Sequence, residues 1–166
     1  MTMQSTGTAA AGIAELWDAA NRLVARIAHP AVTQLALRLA LGVPFWRSGI
    51  LKWDGFLQLN DTAVLLFTSE FQLHLPGGPY PFPAPPLFAF LSGTGEVVFP
   101  VLLVLGLGTR FAATGILVMT AVIQLTEPAG WPVHATWAAM ALAIMCWGPE
   151  RVSIDALLAR RLGTRP

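Results

Sequence analysis

Four long stretches of the chain are almost free of charged residues. They cover about residues 32–51, 86–106, 109–126 and 131–147, and each is close to the ~20 residues that a helix needs to cross a bilayer. Gly106-Leu-Gly108 and Glu127-Pro-Ala-Gly130 separate the last three stretches, and such sequences are typical of tight turns. The pattern predicts four transmembrane helices, numbered here as spans 1 to 4 in chain order, within a membrane domain of residues 32–149.

The segment before span 1, residues 1–31, has a different pattern. Its apolar residues recur at helical spacing, whereas its charged residues lie off that face. This predicts an amphipathic helix on the membrane surface, with docking of a partner protein as the alternative. The apolar positions are Ile13, Leu16, Trp17, Ala20, Leu23, Val24 and Ile27.

Two further segments flank the spans. Between spans 1 and 2, Asn60 is a candidate N-cap for a short helix through residues 63–67 that ends near Gln72. The proline-rich residues 75–86 follow and predict extended or turn-like backbone, either a cap on the membrane or a lid over a cavity. After span 4, residues 150–166 predict a short anchoring helix with Ser153 as its N-cap and Asp155 in its first turn. The predicted fold is an all-α membrane protein, a four-transmembrane-helix bundle with an N-terminal interfacial helix and an extracytoplasmic loop containing a short helix.

Composition supports the membrane assignment. Hydrophobic residues make up 55% of the 166 residues and charged residues 11%, against about 25% charged residues in a soluble domain; the mean hydropathy is +0.62. The net charge of +1 gives no indication of a nucleic-acid partner. The single cysteine, Cys146, excludes an intrachain disulfide and a Cys-x-x-Cys redox pair.

The distribution of basic residues predicts an orientation. Arginine and lysine are concentrated on the cytoplasmic side of membrane proteins, so both termini are predicted to be cytoplasmic and the long loop extracytoplasmic. Only Arg47 and Lys52 lie on the loop side. The basic residues of the other side are Arg22, Arg26, Arg110, Arg151, Arg160, Arg161 and Arg165.

Two ionisable residues lie inside predicted spans, where a charge is costly unless it finds a partner. Glu96 is near the middle of span 2, and Arg38 is in span 1 on the same helical stripe as Gly42, Phe45 and Lys52. If both runs are centred in the bilayer, their vertical offset is roughly 6 Å at 1.5 Å per residue. We therefore expect Arg38 to pair with Glu96. The pair either serves only to order the helix bundle, or it orders the bundle and also lines a cavity.

Prolines mark the same two spans. Pro100 removes the helical partner of the Glu96 carbonyl, and Pro44 does the same for Ala40. The free carbonyl and the carboxylate of Glu96 both need donors, which a guanidinium has. This predicts a polar pocket between two kinked helices.

A third group of polar residues is predicted near the loop side. His134 begins span 4 and Gln124 ends span 3; with Lys52, Trp53 and Glu127 they form a predicted polar rim. His134 is a candidate proton carrier, with a hydrogen-bonded interfacial residue as the alternative. No second histidine is predicted at a matching depth and no metal-ligand constellation is present, so neither haem nor a metal is expected.

Several of these segments together resemble the DoxX family of small four-helix bacterial inner-membrane proteins. The resemblance covers about residues 33–158. It implies a multi-pass protein of the bacterial inner (plasma) membrane, and a link to quinone oxidoreduction through the membrane subunit of thiosulfate:quinone oxidoreductase. One departure is Glu150, where the family often has glycine. The segments are Leu35-Ala-Leu-Arg38-Leu-Ala-Leu-Gly42, Ser48-Gly-Ile-Leu-Lys52, Gly95-Glu96, Leu102–Arg110 and Gly148–Asp155.

These observations lead to two main functional hypotheses. The first is a membrane component of an oxidoreductase system that binds a quinone or another small ligand between spans 1 and 2, with Glu96 and His134 as the catalytic, proton-moving residues. The second is a non-enzymatic scaffold or accessory subunit that recruits a redox or metal-handling partner. A small-molecule or ion carrier is the weakest reading, because four spans without a repeat do not resemble a transporter. The candidate substrate-binding residues of the first hypothesis are Arg38, Lys52, Phe45, Trp53 and Gln124.

Overall fold

The computed structural model describes the backbone of residues 5–163 and the side chains from residue 12 onwards. Arg165, one of the predicted cytoplasmic basic residues, lies outside the described residues. The chain divides into two compact units, residues 1–33 and 34–166. Most of the described residues are helical. The α-helices are α1 (Ser5–Ile27), α2 (Pro30–Ile50), α3 (Asp61–Leu65), α4 (Pro85–Leu105), α5 (Thr109–Thr126), α6 (Trp131–Trp147) and α7 (Ile154–Leu162).

The first unit consists of α1 and the first turn of α2. Helix α1 ends at Ile27, just before His29-Pro30, where the proline disfavours helical geometry for the residue that precedes it. Its apolar side chains are exposed, among them Leu16, Trp17 and Ile27. An exposed apolar stripe is what a helix on a membrane surface presents.

The core of the second unit lies where α2, α4, α5 and α6 meet. Helix α5 packs against both α4 and α6. Small residues on α5, Ala112 and Ala113, allow this close approach. The fully buried side chains of this core are Leu41, Phe45, Leu103, Ala112, Ala113, Ile116, Ala141 and Ile144.

Three helical segments are long and apolar enough to cross a membrane: Pro85–Leu105, Thr109–Thr126 and Pro128–Trp147. They correspond to predicted spans 2, 3 and 4. Helix α2 has 21 residues but is not among them, since Gln34, Arg38 and Arg47 lower its hydropathy. The helix ends agree with the predicted turns: Gly106 closes α4 at φ 68° and Gly108 precedes α5 at φ 57°, left-handed geometry that favours glycine.

The long loop between α2 and α4 folds into small elements of its own. Strands β1 (Trp53–Gly55) and β2 (Gln58–Leu59) form one antiparallel pair, and β3 (Gln72–Leu73) and β4 (Tyr80–Pro81) form another. The side chain of Asn60 accepts a hydrogen bond from the Ala63 N–H, as predicted for the N-cap of the short helix. Helix α3 continues as a π-helical turn over Leu66–Glu70. Phe67 and Phe82 of the loop pack on Ala89 of α4, so the loop covers the start of that helix.

We call the side of the second unit that carries this loop the loop side. The opposite side, with the α4–α5 turn and α7, is the tail side.

Candidate functional site

Glu96 forms a buried ion pair with Lys52 at the loop-side end of the contact between α2 and α4. Lys52 Nζ lies 2.5 Å from Glu96 Oε2, and the Ser92 hydroxyl donates to Glu96 Oε1 at 2.9 Å. Lys52 also donates to the Ser48 hydroxyl at 3.1 Å. The two charged side chains are 14% and 6% exposed. Both carboxylate oxygens therefore have donors, which is what a buried charge requires. We call Ser48, Lys52, Ser92 and Glu96 the loop-side cluster.

Glycines set the close approach of the helices around this cluster. A methyl group on Gly49 would lie 2.8 Å from the Cβ of Glu96, so α2 packs here directly on the backbone of α4. One turn towards the loop, the ring of Trp53 covers Gly93 and contacts Phe90 edge to face, with ring centroids 5.4 Å apart. Trp53 thus forms an aromatic wall beside the ion pair.

The predicted pairing of Arg38 with Glu96 is wrong. Gly49 lies against Glu96, whereas Arg38 lies beside Gly106. The eleven residues from Arg38 to Gly49 separate the two levels by about 16 Å at 1.5 Å per residue. The prediction assumed that both apolar runs are centred in the bilayer. The register of α2 against α4 is set instead by small residues such as Gly49, which allow the backbones of the two helices to come close. Lys52, which lies in the turn two residues after the end of α2, takes the place of the arginine.

Arg38 instead belongs to a tail-side cluster that holds the segment after α6. Arg38 is 1% exposed, and its Nη2 donates to the Val152 carbonyl at 2.5 Å. One turn earlier, Gln34 Nε2 donates to the Gly148 carbonyl at 2.9 Å. Arg38 Nη1 and Gln34 Oε1 are buried without a hydrogen-bond partner among the described residues. Arg38 therefore fixes the chain between α6 and α7 rather than the carboxylate of Glu96.

Asp155 completes this cluster by capping α5 from a distance. Its carboxylate accepts hydrogen bonds of 2.8 Å from the N–H groups of Gly108 and Thr109 and from the Thr109 hydroxyl. Burial acts to raise the pKa of Asp155, but these three hydrogen bonds and the charge of Arg38 outweigh burial, so the pKa lies below its ordinary value. Sequence reasoning missed this role. The available signal was that α5 begins after Gly108, a residue without a side chain to cap it.

His134 and Gln124 lie together near the loop side, as expected for members of the predicted rim. The Gln124 amide donates to the Pro128 carbonyl at 3.1 Å, so its oxygen faces His134 Nδ1 at 2.8 Å. Because an amide oxygen only accepts, Nδ1 is the donor in this pair, and in the neutral imidazole Nε2 is then the acceptor. His134 also contacts Trp137, which packs on Phe45 with ring centroids 4.9 Å apart. Among residues 12–163, no direct hydrogen bond joins this pair to the loop-side cluster.

An apolar groove runs along the α2–α4 contact between the levels of Glu96 and Arg38. Its volume is 280 Å³, and Pro100, the proline predicted to kink this helix, is one of its lining residues. None of the seven predicted site residues lines it. Leu39, Val43, Trp46, Val101 and Leu105 are more than two-fifths exposed, so the groove opens sideways from the bundle. The lining residues are Leu39, Gly42, Val43, Trp46, Pro100, Val101, Val104 and Leu105.

The remaining chemistry of the chain is sparse. Within the described part of the chain, no three His, Cys, Asp or Glu side chains are grouped as metal ligands. Cys146 is exposed and forms no disulfide within the chain.

Comparison of the sequence with known proteins identifies the family of this chain. The sequence profile of the DoxX family matches residues 33–129, which covers α2 to the turn before α6. No match was found with functionally described proteins or with solved structures. The match includes Arg38, Lys52, Glu96 and Gln124 but ends before His134 and the Gly148–Asp155 segment. More than half of the chain is covered, and three of its helices are apolar enough to span a bilayer; the chain is therefore an integral membrane protein that belongs to the DoxX family.

Proposed function

We propose that this protein is a membrane component of an oxidoreductase system and binds a quinone along the α2–α4 contact. The proposal is based on the relative position of two features of this contact. A buried pair of titratable groups, Lys52 and Glu96, and an apolar groove of 280 Å³ lie on the same helix–helix contact. An isoprenoid quinone has the matching parts, a polar ring and an apolar tail.

The groove suits the tail. All eight residues that line it are apolar, and the half-exposed side chains at its mouth give access from the lipid. A hydrocarbon chain that enters sideways from the bilayer needs no polar contacts, and it gains dispersion contacts with the walls.

The loop-side cluster suits the ring. A bound quinone supplies two carbonyl oxygens, and each takes up one proton when a redox partner protein of the system delivers two electrons to the ring. Lys52 donates a hydrogen bond to such an oxygen, Glu96 exchanges the proton, and Trp53 provides aromatic surface. His134, with its free Nε2, carries protons between this region and the loop-side surface, and Gln124 orients it. Arg38, with its unpartnered Nη1, is a second donor at the other end of the groove.

The proposal includes a topology. Helix α2 is the fourth span. The carbonyls of Gln34 and Val152 accept hydrogen bonds from Nε and Nη2 of Arg38, and Arg47 lies near the end of the helix, where it extends to water. Both termini are cytoplasmic, α1 lies on the inner surface of a bacterial plasma membrane, and the long loop is extracytoplasmic. The basic residues of the tail side support this orientation.

The competing function is a non-enzymatic scaffold that recruits a redox or metal-handling partner. One observation favours it: both oxygens of Glu96 and the Lys52 ammonium already have partners within the protein. A buried ion pair of that kind also serves to fix which helices are neighbours.

Thermal shift by a short-chain quinone separates the two functions. We expect the quinone to raise the melting temperature of the purified wild type, and Val101→Phe, which fills the groove, to abolish that rise. Val122→Phe on α5 is the matched control, because Val122 has a similar exposure, 38% against 42%, and lies outside the groove. Glu96→Gln should keep the thermal shift and lose quinone-linked turnover. If the wild type shows no thermal shift, or if Val122→Phe reduces it as much as Val101→Phe, the quinone site is refuted.

A further inference from the structure

The hairpin formed by β1 and β2 carries an apolar tip with no counterpart in the core. Its register pairs Gly55 with Gln58, so Phe56 and Leu57 are the two central residues of the turn. Phe56 is 92% exposed and Leu57 is 57% exposed. The chain thus places two large, exposed apolar side chains at the tip of this turn.

The backbone conformation of Leu57 at this tip is one that leucine rarely adopts. Leu57 has φ 57°, in the left-handed region, and glycine or asparagine takes that geometry at lower cost. A leucine held there is strained, so its side chain is expected to gain free energy from a contact outside the chain.

The hairpin stands directly on the loop-side end of α2. The Asn60 side chain donates to the Leu51 carbonyl at 2.6 Å, and the Asn60 N–H donates to the Lys52 carbonyl at 3.0 Å. Ile50 and Leu51, which precede the hairpin, are themselves exposed. The exposed apolar surface at the end of α2 therefore continues onto the hairpin, and residues 55–60 contain no charge.

We propose that Phe56 and Leu57 insert into the interfacial layer of the lipid bilayer on the loop side and anchor the start of the long loop. The lipid is the favoured occupant because the tip continues the apolar surface of a membrane-embedded helix. An apolar group placed about 5–10 Å into the headgroup–acyl boundary gains free energy by leaving water. The hairpin also positions Lys52, the cation of the ion pair with Glu96, and Trp53, which lies beside that pair. The inference rests on α2 being a span and not on quinone binding.

Fluorescence quenching of a probe at the tip tests this proposal. The full chain, with Cys146→Ser, is reconstituted in vesicles of phosphatidylethanolamine and phosphatidylglycerol, and Phe56→Cys is labelled with an environment-sensitive dye. Ser69→Cys, an exposed polar position of the same loop, is the aqueous control. Ile50→Cys, at the exposed end of α2, is the lipid reference.

For the dye at Phe56→Cys we expect a blue-shifted emission and weak quenching by iodide. Lipids that carry a nitroxide high on the acyl chain should quench this dye several-fold more strongly than the dye at Ser69→Cys. Leu57→Cys should behave in the same way. Equal iodide quenching at positions 56 and 69 would overturn the proposal, and so would a probe shielded from both quenchers, since that result indicates a protein contact. If Ile50→Cys also reports water, α2 is not a span and the proposed topology fails as well.

Discussion

At the scale of single residues, the most consequential finding is which cation neutralises Glu96. The sequence was sufficient to single out Glu96, Lys52 and Arg38, because burial cost and helical spacing can be read from residue types alone. It was not sufficient to pair them. The contact that sets the register is Gly49 against the α4 backbone, and its depth depends on side-chain fit rather than on where the apolar runs begin and end.

A double-mutant cycle tests the pair. Lys52→Met leaves the Glu96 carboxylate buried without its cation, and we expect a loss of about 3 kcal/mol or more in the free energy of unfolding. Glu96→Gln should be milder, because Lys52 retains Ser48 and some access to water. The double variant should be less destabilised than the sum of the two, as measured by denaturation in detergent.

Arg38 provides the comparison for that cycle. Arg38→Met should destabilise through loss of the Val152 contact. Its effect should add to that of Glu96→Gln, since Gly49, which lies against Glu96, is about 16 Å from Arg38 along α2. Coupling between Arg38 and Glu96, or additivity between Lys52 and Glu96, would contradict the structure.

At the scale of elements, the long helices were predictable and the connections only in part. Glycine and proline mark the ends of α4, α5 and α6, so the predicted bounds agree with the structure to within a residue or two. The short helix after Asn60 was predicted from its cap. The two strand pairs were not, because pairs of two or three residues are too short to show an alternating pattern.

The cap on α5 is the element-scale feature with the clearest test. Asp155→Ala should lower stability by about 1–2 kcal/mol, since the first N–H groups of α5 lose their acceptor. Asp155→Asn keeps an amide oxygen and should lose less. Asp54→Ala, an exposed aspartate of the loop that caps no helix, is the control and should be close to neutral.

The same carboxylate predicts a pH dependence. Because the folded protein holds the pKa of Asp155 below its ordinary value, its stabilisation is fully present above the unfolded value of about 3.9. That stabilisation is lost as the pH falls through the lower, folded pKa. The stability difference between wild type and Asp155→Asn should therefore shrink on acidification, as measured by melting temperature. A difference that stays constant down to pH values near the folded pKa would show that the charge of Asp155 does not contribute.

At the scale of the whole molecule, composition and hydropathy were enough for the membrane class, and short segments such as Ser48–Lys52 and Gly95-Glu96 carried the family resemblance. The family match confirms both. The sequence predicted a polar pocket between two kinked helices, and the polar character of that prediction is wrong, because only apolar residues line the groove. Its apolar lining was not foreseen, because the polar residues of α2 and α4 point to the two ends of the contact and leave the middle to Gly42 and Pro100. A sequence shows which helix faces are polar, but the position of a void depends on packing.

The orientation and the fourth span belong to this scale and can be tested together. In a Cys146→Ser background, Ser69→Cys should react with a membrane-impermeant maleimide added to intact cells. Arg151→Cys, on the tail side, should react only after the cells are opened. Helix α4, with 21 residues, is about 31 Å long at 1.5 Å per residue, so one bilayer separates the two positions.

Asp18→Cys on α1 decides whether α2 crosses the membrane. If α2 is a span, Asp18 and Arg151 lie on the same side, and both cysteines should be protected in intact cells. If α2 does not cross, the Asp18 cysteine should react from outside together with Ser69→Cys, although Arg151→Cys stays protected. The reverse result, with Arg151→Cys accessible and Ser69→Cys protected, would place the basic tail side outside. That outcome would contradict the charge distribution and would move the Lys52–Glu96 pair to the cytoplasmic half of the bilayer.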